Sequence, residues 1–210
     1  PQFEFIRKSV KAFNLPSIEL LNYEADDLIA TYVEQILKEG GEATIVSSDK
    51  DLMQLYKKNI RIYDPMKSKF ISKEDINNKF GVSPDKVIDV QALAGDTSDN
   101  VPGVPGIGIK TAAELINTFG TLEELLKKAH TIKQNKRRET LLENKDKAII
   151  SKKLVTLKKD VPVKDKLEDL EMKNINKEKL YSFLREMEFN RLLSSAISTY
   201  GELGFSEKNK

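Results

Sequence analysis

The sequence predicts an α/β domain with a mostly parallel sheet flanked by helices, followed by an all-helical subdomain in which two helices are joined by a glycine hairpin. Three observations carry this expectation. Short apolar runs of strand type alternate with helix-period segments over the first part of the chain. Acidic residues cluster where those segments meet, the place where open α/β sheets put their sites. Beyond Gly95 the strand-type runs stop and lysine-rich helical periodicity takes over. The shift near residue 95 divides the chain into an α/β core at 1–95, a helical subdomain at 96–205 and a tail or linker at 206–210.

Phe3, Phe5, Ile6, Val10 and Phe13 give one helical apolar face, ended by Asn14-Leu15-Pro16. Ser17 to Leu21 reads as a short strand. Tyr23-Glu24-Ala25-Asp26-Asp27 then leads into a helix with apolar Leu28, Ile29, Tyr32, Val33, Ile36 and Leu37, closed by Gly40-Gly41. Ala43 to Val46 is a buried-type strand, Leu52 to Tyr56 a helix and Ile60 to Tyr63 a further strand, with Phe70 and Ile71 as a short addition. Ser83-Pro84 starts a helix that runs through Ala94, with proline at the first helical position. After the glycine loop a helix spans Lys110 to Thr118 and stops at Gly120, and Thr121-Leu122-Glu123-Glu124 is a capping box for the next. The tail from Asn176 to Ser198 carries Leu180, Phe183, Leu184 and Met187 at helical spacing, so Tyr181, Phe183 and Phe189 are expected in the core.

With 210 residues and 39% hydrophobic content the chain can bury a real core. Its 35 basic and 33 acidic residues leave a net charge of only +2, so no global basic excess announces a nucleic-acid partner. The absence of cysteine excludes disulfides, iron–sulfur clusters and thiolate zinc, and the single histidine, His130, excludes a multi-histidine zinc site. No apolar run approaches about 18 residues and no signal peptide is visible, which reads as a soluble, cytoplasmic protein with no membrane partner. The chain begins at Pro1, as a processed protein or a fragment would.

Three acidic clusters sit at element junctions: Glu24/Asp26/Asp27, Asp49/Asp51 and Asp96/Asp99. Each alone can be read as helix capping or a solvated loop. Gathered at one sheet edge, these carboxylates would repel and raise one another's pKa values, which makes sense where cations neutralise them. An oxygen-only donor set favours Mg²⁺ or Mn²⁺. Two such ions would activate a water and stabilise the leaving oxygen of a phosphodiester. For the first cluster to converge, Glu24 must precede the first helical residue.

Gly103-Val104-Pro105-Gly106-Ile107-Gly108-Ile109-Lys110-Thr111-Ala112 fits a hairpin between two helices. Its amides, with Lys110 and Thr111, could hold backbone phosphates without reading bases, and its carbonyls could seat a monovalent ion. Lys127, Lys128, Lys133, Lys136, Arg137, Arg138, Lys145, Lys147, Lys152 and Lys153 would add salt-sensitive attraction.

Taken in order, Glu24-Ala25-Asp26-Asp27, Ser48-Asp49-Lys50-Asp51, Gly95-Asp96-x-x-Asp99-Asn100 and Gly103-x-x-Gly106-Ile107-Gly108 resemble the flap-endonuclease family of structure-specific 5′ nucleases. Within it, the 5′→3′ exonuclease domains joined to bacterial polymerases are most similar, and the likeness extends to Phe183-Leu184-Arg185-Glu186-Met187-Glu188-Phe189. The resemblance implies a PIN-like core with a helix-hairpin-helix. It implies that Glu24, Asp26, Asp27, Asp49, Asp51, Asp96 and Asp99 carry two divalent ions. It implies that Gly103, Val104, Gly106, Ile107, Gly108, Lys110 and Thr111 hold duplex DNA, with a potassium ion at the hairpin. The implied activity is a Mg²⁺-dependent 5′→3′ exonuclease and flap endonuclease acting on 5′ flaps and nicked or branched duplexes, in primer removal and repair. The implied setting is a monomer at the bacterial nucleoid, with a polymerase domain after Lys210. The family's chains start earlier, with a first strand ending in an aspartate, a second metal-site aspartate and a basic helical arch, so this chain is expected to be a truncated member. A non-catalytic duplex- or flap-binding module remains an alternative, as does an RNase of the related PIN-type fold.

Overall fold

A computed structural model describes residues 2–203, so the expected tail at 206–210 lies outside the described residues. The chain opens with helices α1 (Gln2–Ala12) and α2 (Ala25–Lys38), followed by strands β1 (Ala43–Val46), β2 (Ile60–Asp64) and β3 (Lys69–Phe70). Helices α3 (Lys73–Phe80), α4 (Val87–Ala94), α5 (Ile109–Phe119) and α6 (Leu122–Lys128) come next. They are followed by α7 (Asn135–Glu143), α8 (Lys145–Val155), α9 (Lys177–Glu186) and α10 (Asn190–Tyr200). By packing, the chain forms two units, Asn22–Pro162 on the one hand and Pro1–Leu21 with Val163–Lys210 on the other.

The larger unit is the expected α/β arrangement with a small sheet and many helices. β1 pairs parallel to β2, from Ala43 opposite Ile60 to Val46 opposite Tyr63. β3 returns antiparallel on β2, so the sheet order is β1-β2-β3 and only one of its two pairings is parallel. The turn between β2 and β3 is fixed by Asp64, a buried carboxylate that accepts from Ser48 Oγ at 2.9 Å, Met66 N at 3.0 Å and Lys67 N at 3.2 Å. Burial alone would raise its pKa, but these donors and the Lys67 ammonium outweigh it and hold the carboxyl below its usual range.

Helix α4 is apolar nearly all round, with Val87, Val90, Ala92 and Leu93 fully buried, and such a helix belongs inside a core. It packs against both α5 and α8. This is why the division by packing does not fall at residue 95: α4 lies before that position, yet most of its partners lie after it. From α8 the chain runs back along α2 as a strap. Buried Gln54 donates to Val155 O at 2.9 Å and accepts from Leu157 N at 3.2 Å. Buried Thr31 accepts from Val161 N at 3.1 Å.

Several local expectations are corrected. Ser17–Leu21 forms no strand; it pairs with no other strand and runs into a turn at Leu21, which is 85% exposed. Strand-type composition is not sufficient where no ladder partner is supplied. The helix expected after Ser48-Asp49-Lys50 is a 3₁₀ helix, Asp51–Leu55, as befits so short a piece. The segment from Pro84 begins as a 3₁₀ turn, Pro84–Lys86, before α4. The capping box at Thr121 is half formed, with its hydroxyl accepting from Glu124 N at 3.3 Å. α3 forms where the sequence pattern predicts no helix. Ser72 and Asp75 form its reciprocal capping box, and Gly81 closes it in the left-handed conformation at φ 72°.

The smaller unit is built on α1, α9 and α10. Leu180, Tyr181, Phe183 and Leu184 of α9 are buried with Ala12 and Ala196. The Tyr181 hydroxyl is satisfied by donating to Gly201 O at 2.5 Å. The apolar face expected for α1 is largely left outside, with Phe3 77% exposed, and Phe189 is exposed rather than in the core.

Candidate metal centre and hairpin

The acidic centre is assembled where β1 ends and where α4 ends. After β1 the chain turns through Ser47-Ser48-Asp49-Lys50 into the 3₁₀ helix. Asp49 N is bonded to Ser47 Oγ at 3.0 Å and Asp51 N to Asp49 Oδ1 at 2.9 Å, so the two acids are held by their own turn. From α4, the buried Gln91 side chain donates from Nε2 to Asp51 Oδ1 at 2.5 Å. Gly95 ends α4 with φ 72°, and Asp96 follows it. The loop from Asp96 to Val101 is closed by a two-way backbone exchange, Asp96 N to Val101 O at 2.9 Å and Val101 N to Asp96 O at 2.8 Å. Within it, Ser98 donates to Asp96 Oδ1 from N at 3.0 Å and from Oγ at 2.5 Å.

These constraints bring one carboxylate oxygen each of Asp51, Asp96 and Asp99 within 4.8 Å of one another. Such an oxygen-only set fits a hard divalent cation. Lys50, the residue between two of the expected ligands, turns its ammonium into the group, pairing with Asp96 Oδ2 and lying 4.0 Å from Asp99 Oδ2. Burial raises Asp96, but the Lys50 ammonium and Ser98 prevail and hold it below its usual range. The hydrogen bond to Asp96 in turn raises Lys50. Asp51 is raised by burial and by the Asp49 and Asp99 charges, which outweigh the Gln91 hydrogen bond and the Lys50 charge.

The acids of the first cluster, and Asp49, are not among these three. Asp26, in the first turn of α2, is pushed up to about 6 by burial and by the charges of Asp49, Asp51, Glu24 and Asp27, in that order. Glu24 is the residue just before α2, the position its convergence required, and it is exposed. Asp27 instead turns one oxygen to the strap, accepting from Lys158 N at 2.8 Å. Lys50, Gln91, Ser98 and the Lys158 amide were not singled out from sequence. Only Lys50 carried a signal, its place between Asp49 and Asp51.

The hairpin lies between α4 and α5. Gly103 N donates to Ser151 Oγ at 2.9 Å, Val104 N to Leu93 O at 2.8 Å and Ile107 N to Val104 O at 3.0 Å. With Val104 and Ile107 buried as well, these three expected contact residues anchor the hairpin. Gly106, Gly108 and Lys110 face outward, and the first amides of α5, from Ile109 to Thr111, are left unpaired as at any helix start. Beside them a cavity of about 450 Å³ is shared with α7, lined by Gly106, Thr111, Lys136, Arg137 and Thr140 among others.

A 5'-3' exonuclease N-terminal resolvase-like domain matches residues 1–81, and a 5'-3' exonuclease C-terminal SAM-fold domain matches residues 82–178. The chain belongs to the 5'-3' exonuclease family. The junction at 81/82 assigns α4 to the helical domain, in keeping with its packing on α5 and α8. DNA polymerase I of Rhizobium leguminosarum is 53% identical over 91% of this chain and 19% of its own length. A 5'-3' exonuclease of Aquifex aeolicus is 38% identical over 91% of this chain and 65% of its own. The chain thus spans about a fifth of the polymerase relative and about two thirds of the shorter one. A structure of T5 5'-exonuclease with bound zinc shares the family fold, with a TM-score of 0.67 at 18% identity over 95% of this chain and 69% of that one. No described helix is long and apolar enough to cross a membrane.

Proposed function

We propose that this chain is the 5′→3′ exonuclease and flap-endonuclease part of a longer protein, one that hydrolyses DNA phosphodiesters with two divalent ions, Mg²⁺ or Mn²⁺. The observation that carries the reading is the meeting of Asp51, Asp96 and Asp99 within 4.8 Å, at the end of the helix that leads into the hairpin. Glu24, Asp26 and Asp49 complete the proposed donor set, with Asp27 offering the oxygen that Lys158 does not hold. Bound there, the ions would supply an activated water and neutralise charge on the phosphodiester. The protein's own contribution is orientation. Gln91 fixes one oxygen of Asp51 and Ser98 one oxygen of Asp96, so both carboxylates are aimed before any ligand arrives.

The outward amides at the start of α5 would hold backbone phosphates, and Lys110, Lys136 and Arg137 would add sequence-independent attraction. A potassium ion on the hairpin carbonyls belongs to the same proposal. So do a 5′ flap or nicked duplex as substrate, a role in primer removal and repair, a monomeric state, a polymerase domain in the parent protein and a place at the bacterial nucleoid.

The test is incubation of the chain with a 5′-labelled flap duplex, in Mg²⁺ or Mn²⁺ and in chelator. Short 5′ products are expected only with metal, and Asp51→Asn or Asp99→Asn should abolish them. Binding without cleavage would assign the chain to duplex holding alone. Preferential cleavage of RNA would point to the RNase reading.

A further inference from the structure

Lys50 stands in sequence between two proposed metal ligands, yet it brings to the centre the kind of charge a metal would bring. Its ammonium pairs with Asp96 Oδ2 and lies 4.0 Å from Asp99 Oδ2. The other Asp96 oxygen is already occupied by two donors from Ser98. A similar economy holds at Asp51, where Gln91 takes Oδ1. Each of these half-buried acids therefore has one oxygen fixed by a neutral neighbour and one left for a cation. At Asp96, that second oxygen is held by Lys50.

The lysine is well suited to let go. Its side chain is 31% exposed, on a four-carbon stem whose backbone is fixed by the turn into the 3₁₀ helix. It can therefore swing to solvent without disturbing Asp49 or Asp51. An ammonium and a divalent ion drawn to the same two carboxylates repel each other at short range.

Resting on the metal-site reading above, we propose that Lys50 is a tethered counter-cation of the centre. Its ammonium neutralises Asp96 and Asp99 in the metal-free protein and is exchanged for the divalent ion on binding. Lys50 thus acts through the ligands as a positioning residue: it stabilises the empty centre and weakens metal affinity by the worth of its own ion pairs. A purely architectural lysine would do the opposite, because its removal would let the carboxylates spread and lose metal.

The sign of one measurement separates the two. Mn²⁺ is titrated into the full chain, with free Mn²⁺ read from its paramagnetic resonance, for the unaltered protein and for Lys50→Met, Lys50→Gln, Lys50→Arg and Asp96→Asn. Lys50→Met and Lys50→Gln are expected to bind Mn²⁺ roughly tenfold more tightly and to melt at a lower temperature in chelator. Lys50→Arg should retain the original affinity. Unchanged or weaker Mn²⁺ binding in both neutral variants would overturn the counter-cation, leaving the metal centre standing provided that Asp96→Asn loses the ion. Absence of binding by the unaltered chain at millimolar Mn²⁺ would overturn the centre itself, and the proposal with it.

Discussion

Gly103 has a φ of 58°, and its missing side chain matters twice. A Cβ there would lie 2.5 Å from Gly95 N and 2.7 Å from the carbonyl carbon of Ala94, backbone atoms that cannot step aside. Gly103→Ala should therefore lower stability by on the order of 3 kcal/mol, read as a lower urea midpoint at unchanged slope. Gly106 has the same handedness, φ 72°, but open space around its Cβ position. Gly106→Ala should cost only the left-handed strain, about 1 kcal/mol. Equal losses in the two variants would remove the backbone crossing as the cause. The sequence displayed both glycines as one loop motif and could not separate these duties, since the difference lies in what passes behind each. The acids were legible for the converse reason. Asp49 and Asp51, or Asp96 and Asp99, sit close along the chain at recognisable junctions, whereas Gln91 reaches Asp51 from 40 residues away.

Among the elements, α3 is the most instructive. Its buried apolar residues are Ile76 and Phe80 alone, a single i,i+4 pair too short to show a period. Its signal was the frame, Ser72-x-x-Asp75 at one end and Gly81 at the other. The Lys69 ammonium, then the Ser72 amide and hydroxyl, hold Asp75 well below the usual carboxylate range. A depressed folded-state pKa stabilises the fold above the unfolded value of about 3.9, and that contribution is lost as pH falls below it. Asp75→Asn should lower the melting temperature at neutral pH and flatten its acid decline between about pH 4 and pH 2. An unaltered acid limb in pH-resolved melts would deny the cap this role. The strap offers a second test. Thr31→Val keeps the shape but leaves the Val161 amide without its 3.1 Å acceptor, an expected loss of about 1–3 kcal/mol by urea unfolding. Neither Thr31 nor Gln54 could be assigned from sequence, because each serves a segment more than 100 residues away. The missing strand at Ser17–Leu21 teaches the same lesson: a ladder is a property of two segments, and composition describes only one.

Charge is informative by its distribution. The net charge is +2, yet Lys136 and Arg137 line the cavity beside the hairpin. Arg137 is not fully free, since its guanidinium is 3.7 Å from Glu114 on α5. Replacing both by glutamate should weaken binding to a flap duplex and reduce the slope of log affinity against log salt by about 1–2. Titrations at several salt concentrations measure this, and an unchanged slope would take α7 out of the interface. The boundary between domains was the least legible large feature. Lysine content changes near residue 95, but packing follows α4, whose apolar surface is turned to its later partners.

α4 reaches the acidic centre through Gln91, leads directly into Asp96, and grips the hairpin through the Leu93 carbonyl. Being buried on nearly all sides, it has little room to bend or slide. On the proposed function it would serve as a gauge block between the hairpin that holds a strand and the centre that cuts it. In a nuclease built this way, product length is counted from the clamp in units of protein rather than read from the bases.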